Sequence, residues 1–137
     1  MRILKQESEG VWVRFAEGEE AEFVRPDHWV GFDFDGVLSV PDPSRPWTLE
    51  ELGLPVKKMV DAARTLIEAG VRVKVFTARA CEPENIPGIR DWTEANGLGR
   101  LEVTNAKDYG LIRFYDDRAI QVPLAVLTVR QHHRATK

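Results

Sequence analysis

Val30-Gly31-Phe32-Asp33-Phe34-Asp35-Gly36-Val37-Leu38 is an apolar segment that ends in two carboxylates spaced by one residue, with a glycine directly behind them. Its composition reads as a β-strand, and residues i and i+2 of a strand point the same way. Asp33 and Asp35 are therefore expected to face one spot, with Phe32 and Phe34 turned to the other side. Two anions held that close repel each other, which raises one pKa or calls for a bound cation. A strand running into an Asx-type turn gives the same local pattern, because Asp and Gly are common there.

The ending recurs along the chain. Val71-Arg72-Val73-Lys74-Val75-Phe76 is β-branched and aromatic and closes on Thr77, and Leu111-Ile112-Arg113-Phe114-Tyr115 closes on Asp116-Asp117. In open parallel α/β sheets, ligands bind beyond the carboxyl ends of the strands. Three such strands would deliver four carboxylates and a threonine to one rim.

Length and composition suit a sheet of that kind. The 137 residues fit one domain, long enough to bury a real core but short for two. Apolar content of 43% and charged content of 30% are ordinary for a globular protein. No run approaches the roughly 18 apolar residues of a membrane span, so no membrane partner is expected. Met1-Arg2-Ile3-Leu4-Lys5-Gln6-Glu7 lacks the apolar core of a signal peptide, which makes a cytoplasmic location the expectation. A single cysteine, Cys81, excludes an internal disulfide and any multi-cysteine zinc site, and it reads as a small packing residue. The formal charge of −3 gives no general reason to bind nucleic acid.

Residues 1–29 read as an amino-terminal β-hairpin extension, with strands around 10–15 and 21–24, that extends the sheet edge or partly covers the site. A proline-rich loop, Ser39 to Trp47, follows the Asp33 strand. Pro55 opens a helix on which Val56, Met59, Val60, Ala63, Leu66 and Ile67 share a face, and Gly70 ends it. A second helix is expected over Ile89 to Ala95, with Asn96-Gly97 as its stop, and a short strand over Leu101 to Thr104. Asn105 to Gly110 reads as a polar turn or brief helix, and Ala119 to Val122 as a short final strand. Residues 123–137 form a carboxy-terminal segment and tail, in which His132-His133 reads as solvated. Trp12, Trp29 and Trp92 read as core or hairpin anchors rather than ligand platforms, and His28 has no partner pattern.

Asp33-Phe34-Asp35-Gly36-Val37, Phe76-Thr77-Ala78-Arg79, Lys107 and Asp116-Asp117 together resemble the four ordered motifs of the haloacid-dehalogenase-like hydrolase superfamily. The resemblance covers residues 30–122 as a catalytic core, with Val103 to Lys107 and Tyr115 to Ala119 most similar to small phosphatases. It implies a three-layer α/β/α, Rossmann-like parallel sheet. Many members carry proline after the third-motif lysine, whereas Asp108 stands there in this chain. The intervals Asp33 to Thr77 (44 residues) and Thr77 to Lys107 (30 residues) leave no room for a cap domain. The site is therefore expected to be open, suiting a bulky phosphorylated partner or closure by a neighbouring subunit.

The chemistry of each position fits phosphoryl transfer. A carboxylate can attack phosphorus and divide hydrolysis into two displacements through an acyl-phosphate; Asp33 is the candidate nucleophile. Asp35 is the candidate acid/base that protonates the leaving oxygen and later deprotonates water. A phosphate dianion beside four carboxylates needs a counterion, and magnesium, a hard cation bound by oxygen, supplies it. Asp33 and Asp116 are expected as direct ligands, with Asp117 direct or through water, and the resemblance adds the Asp35 backbone carbonyl. Thr77 is expected to hydrogen-bond a phosphoryl oxygen and Lys107 to supply positive charge. Arg45, Trp47 and Arg79 are candidate substrate contacts. The expected activity is that of a magnesium-dependent phosphomonoesterase acting on a small phosphometabolite or a larger phosphorylated partner, a nucleic-acid end among them. A phosphotransferase with an acceptor other than water, and a non-catalytic phosphate-binding module, remain the alternatives. The Asp-x-Asp-Gly run fails the calcium-loop pattern, because Val37 stands where an oxygen ligand is required.

Overall fold

A computed structural model describes residues 1–46, 48 and 50–122. Trp47, and the segment and tail expected over 123–137, lie outside the described residues. The chain is mixed α/β. Strands β1 (Arg2–Glu7), β2 (Gly10–Arg14) and β3 (Glu22–Val24) form an antiparallel meander. β4 (Trp29–Phe32) leads to a two-stranded antiparallel pair, β5 (Ser39–Val40) with β6 (Leu54–Pro55). Helix α1 (Lys57–Glu68), β7 (Arg72–Phe76), two short 3-10 helices (Ala78–Cys81 and Pro83–Asn85), helix α2 (Ile86–Ala95), β8 (Glu102–Thr104) and β9 (Leu111–Tyr115) complete the described elements. The parallel sheet runs β8-β7-β4-β9.

β4 is central and buried along its whole length, which is why its sequence is apolar without alternation. Its register pairs Val30 with Val73 and Phe32 with Val75 of β7, and Phe32 with Tyr115 of β9. These residues share one face. Val60, Ala63 and Leu66 of α1 and Ile89 of α2 pack into the same core, and so do Val11, Val13 and Val24 of the meander. Both helices end as the sequence predicts. The Gly70 amide bonds to Ile67 O and the Val71 amide to Leu66 O, and the Gly97 and Leu98 amides repeat the pattern to Glu94 O and Thr93 O.

The opposite face differs. Trp29, Phe76 and Phe114 lie there, with Phe76 edge-on to Phe114 at 4.7 Å between ring centres, and an added Cβ at Gly31 would crowd Trp29, Leu111 and Phe114. Lys74 is buried over the Trp29 ring at 4.5 Å and pairs with Glu102 at 2.8 Å. The connection from β8 to β9 is short, and Asp108 in it accepts the Trp29 indole N–H at 2.8 Å and the Gly110 amide at 2.8 Å. Those two hydrogen bonds hold the Asp108 carboxyl below the usual range. Both described α-helices pack on the first face, so no α-helix among the described elements forms a third layer.

Several expectations change. The amino-terminal hairpin is a three-stranded meander with its own sheet, not an extension of the parallel one. β1 is hidden in the sequence because Arg2-Ile3-Leu4-Lys5-Gln6-Glu7 is mostly polar and charged, and its pairing with β2 is interrupted by a bulge at Leu4. Residues 119–122 form no strand; Ile120 and Val122 are largely exposed. Pro55 ends β6 rather than opening α1, which starts two residues later behind an extended Val56. Cys81 is exposed rather than packed. Among the described residues no helix is long and apolar enough to cross a membrane.

Candidate active site

β4 and β9 continue past their ends by one further bond, from the Asp33 amide to Tyr115 O at 2.9 Å. That bond sets Asp33 beside Asp116 at the carboxyl edge of the sheet. Phe34 is fully buried and meets Trp92 edge-on at 4.9 Å, so the chain turns Asp33 and Asp35 outward on either side of it. The turn closes tightly, with the Ser39 amide on Phe34 O at 2.9 Å and the Gly36 amide on Ser39 O at 2.8 Å. Gly36 has φ +84°, and an added Cβ there would overlap the Asp117 carboxylate. Glycine thus lets the Asp33 turn and the Asp117 side chain close on each other.

Carboxylate oxygens of Asp33, Asp116 and Asp117 lie within 4.8 Å of one another. Among the described residues no lysine or arginine forms an ion pair with any of the three. The Asp33 carboxyl is pushed up from 3.8 to about 6, chiefly by burial and then by the neighbouring Asp116 and Asp117; the Phe34 amide, donating to Asp33 Oδ1 at 2.8 Å, pulls the other way. Three oxygen donors with no thiol or imidazole make a donor set that fits a hard divalent cation.

Asp35 stands outside that trio. Its carboxylate is held by Arg79 through two parallel bonds, Nε to Oδ2 at 2.7 Å and Nη2 to Oδ1 at 2.9 Å. The guanidinium also lies 5.8 Å from the Phe34 ring centre, and its Nη2 donates to Glu51 O at 3.4 Å. Thr77 is buried at the end of β7, where its amide bonds to Thr104 O, and its Oγ1 accepts the Arg79 amide at 3.2 Å. Asp33, Asp35, Thr77, Arg79 and Asp116 line one cleft of about 280 Å³, together with Phe76, Ala78, Phe114 and Arg118.

Two expected residues are elsewhere. Lys107 is exposed and lines a separate cleft with Asp108 and Leu111 to Phe114. Asp108, next to Lys107, is anchored to Trp29 and fixes the connection that carries the lysine. Arg45 pairs with Glu51 at 2.9 Å and is not among the residues lining the acidic cleft. Trp29 and Trp92 are structural, as expected, with the Trp92 indole donating to Gly53 O. His28 accepts the Arg25 amide on Nδ1. Arg118 is a cleft residue that sequence reasoning misses, although it directly follows the Asp116-Asp117 pair; its amide donates to Asp116 Oδ1 at 3.1 Å.

No family model matches the sequence, and no curated protein and no solved structure matches it.

Proposed function

We propose that this chain is a magnesium-dependent phosphomonoesterase of the haloacid-dehalogenase-like type, working through an aspartyl-phosphate on Asp33. The observation that carries the reading is the trio Asp33, Asp116 and Asp117, whose oxygens converge within 4.8 Å at the ends of two adjacent parallel strands. Carboxylates that repel in this way destabilise the fold, so their convergence is best understood as a cation site. A magnesium ion held by Asp33, Asp116 and Asp117 would offset their charge and polarise a phosphoryl oxygen.

In the first step an Asp33 oxygen bonds to phosphorus as the ester P–O bond breaks, and the leaving oxygen takes a proton from Asp35. In the second, Asp35 removes a proton from water, the water oxygen bonds to phosphorus, and the bond to Asp33 breaks, releasing inorganic phosphate. Asp35 cannot donate while Arg79 grips both its oxygens. A guanidinium fork suits phosphate as well as carboxylate, so in this reading the incoming phosphoryl group draws Arg79 away and frees Asp35 to be protonated. Thr77 faces the same cleft and offers a hydroxyl to the phosphoryl group. Arg79 and Arg118 supply the positive charge expected of Lys107.

The displaced lysine favours one second reading, a cation-binding module that retains a phosphoryl group without turnover. Hydrolysis of an aryl phosphate with magnesium decides between them. Turnover that is lost in Asp33→Asn and on chelation supports the enzyme, and equal rates in wild type and variant refute it.

A further inference from the structure

A second cleft of about 470 Å³ runs between the β2–β3 connection of the meander and the outer edge of β9. Phe15 and Glu19 line it on one side, and Ile112, Arg113, Tyr115 and Gln121 on the other. It meets the acidic cleft at Phe114 and Asp116, which line both. We propose that this cleft is the leaving-group subsite, and that it selects the monophosphate of an uncharged, ring-bearing alcohol of nucleoside size. The inference rests on the phosphomonoesterase reading and adds a substrate class to it.

Size is the first argument. Pockets that enclose drug-sized ligands run from about 300 to 1,000 Å³. The acidic cleft, at about 280 Å³, falls just below that range and suits a phosphoryl group with a few further atoms. The adjoining cleft lies well inside it. A substrate that fills both is larger than a phosphorylated two- or three-carbon acid.

Charge is the second. Arg113 is the cation within the cleft, and it is shared between Glu22 at 2.9 Å and Glu19 at 3.6 Å, with its guanidinium 5.3 Å from the Phe15 ring centre. One cation between two carboxylates leaves this wall of the cleft with a net negative charge, apart from Asp116, whose charge the metal would offset. A second anionic group on the substrate would be repelled there, whether a carboxylate, the other phosphate of a bisphosphate, or the internal phosphates of a nucleic-acid strand.

The remaining surface suits a neutral ring. Tyr115 is fixed by stacking on Phe32 at 4.5 Å, and Phe15 packs against the core, so both aromatic walls are held in place. Glu19 and Gln121 add an acceptor and an amide to the lining, which a nucleobase or sugar edge can use. The same arrangement gives the amino-terminal meander a part in substrate choice, because Phe15 and Glu19 follow closely on β2.

The test compares magnesium-loaded wild type on adenosine 5′-monophosphate, methyl phosphate, phosphoglycolate and a 5′-phosphorylated dinucleotide. The nucleoside monophosphate is expected to exceed each of the others at least tenfold in kcat/KM. Ala119→Trp places a large ring in the cleft from an exposed position on its wall; it should lower the ratio of nucleotide to methyl phosphate turnover about tenfold. Adenosine alone, titrated into Asp33→Asn protein and followed by NMR, should give saturable shifts that the added Ala119→Trp change removes. Phosphoglycolate turned over as well as the nucleotide, an unchanged ratio in Ala119→Trp, or no saturable adenosine binding overturns the subsite. Adenosine binding with no hydrolysis of any ester upholds the subsite and refutes the phosphatase reading.

Discussion

Replacing Asp33 with asparagine should stabilise the metal-free protein while abolishing turnover. The asparagine side chain keeps an oxygen to accept the Phe34 amide and gains an amide that can donate to Asp116, so the geometry of the strand end is preserved. What it loses is charge. The Asp33 carboxyl titrates at about 6 in the fold against 3.8 when unperturbed. Between those values the folded chain holds a proton that the unfolded chain has released, so stability falls as pH rises through the window and the full penalty is present above about pH 6. At about 1.4 kcal/mol per pH unit the ceiling is about 3 kcal/mol, and solvent screening at this partly exposed group reduces it to about 1–2 kcal/mol. In thermal terms that is a rise of about 3–8 °C in Tm for the variant.

Thermal unfolding followed by circular dichroism in EDTA, at pH 4 and pH 8, measures the effect. The variant should unfold at higher temperature at pH 8, and the two proteins should converge at pH 4. Added magnesium should raise the Tm of wild type by mass action, worth about 2.7 kcal/mol at one hundred times Kd, and leave the variant nearly unmoved. A variant that is less stable than wild type at pH 8 in EDTA, or a difference that does not shrink on acidification, would refute the account of Asp33 as a carboxylate held against its neighbours.

Removing the Arg79 fork by Arg79→Ala should lower kcat/KM on an aryl phosphate about 100-fold, the scale of losing one preorganised charged donor; Arg79→Lys should recover only part of this, because a point charge cannot replace two parallel bonds. Gly36→Ala should cost about 1–3 kcal/mol in chemical denaturation, since the left-handed backbone and the Asp117 carboxylate both resist a Cβ, and it should weaken magnesium binding measured by calorimetry. Lys107→Ala should change kcat/KM less than about threefold, against the roughly 10²–10³-fold loss typical of an electrostatic stabiliser; a loss of that size would show that the lysine reaches the acidic cleft during turnover.

The parts of the site that sequence made legible are those fixed by a strand end. Asp33, Thr77 and Asp116 each follow an apolar run directly, and a parallel sheet aligns the ends of its strands, so local pattern was enough to bring them to one edge. Helix stops were legible for the same local reason, as at Gly70 and Asn96-Gly97. Lys107 was not, because its place depends on the path of a short connection and on a hydrogen bond from Trp29 to Asp108, 79 residues away in the chain. Nor was the grip of Arg79 on Asp35, which joins residues 44 apart. Arg113 shows the physical limit most clearly. In sequence it interrupts an apolar strand and looks like ordinary alternation. In the fold it stands opposite Val30 with its side chain still part-exposed, and it reaches across to pair with Glu22 and Glu19 of the meander region. The role of such a residue is legible only once its partners are placed. Here those partners also set the charge of the cleft that adjoins the acidic trio, so the fold's least predictable contact is the one on which the proposed substrate selection rests.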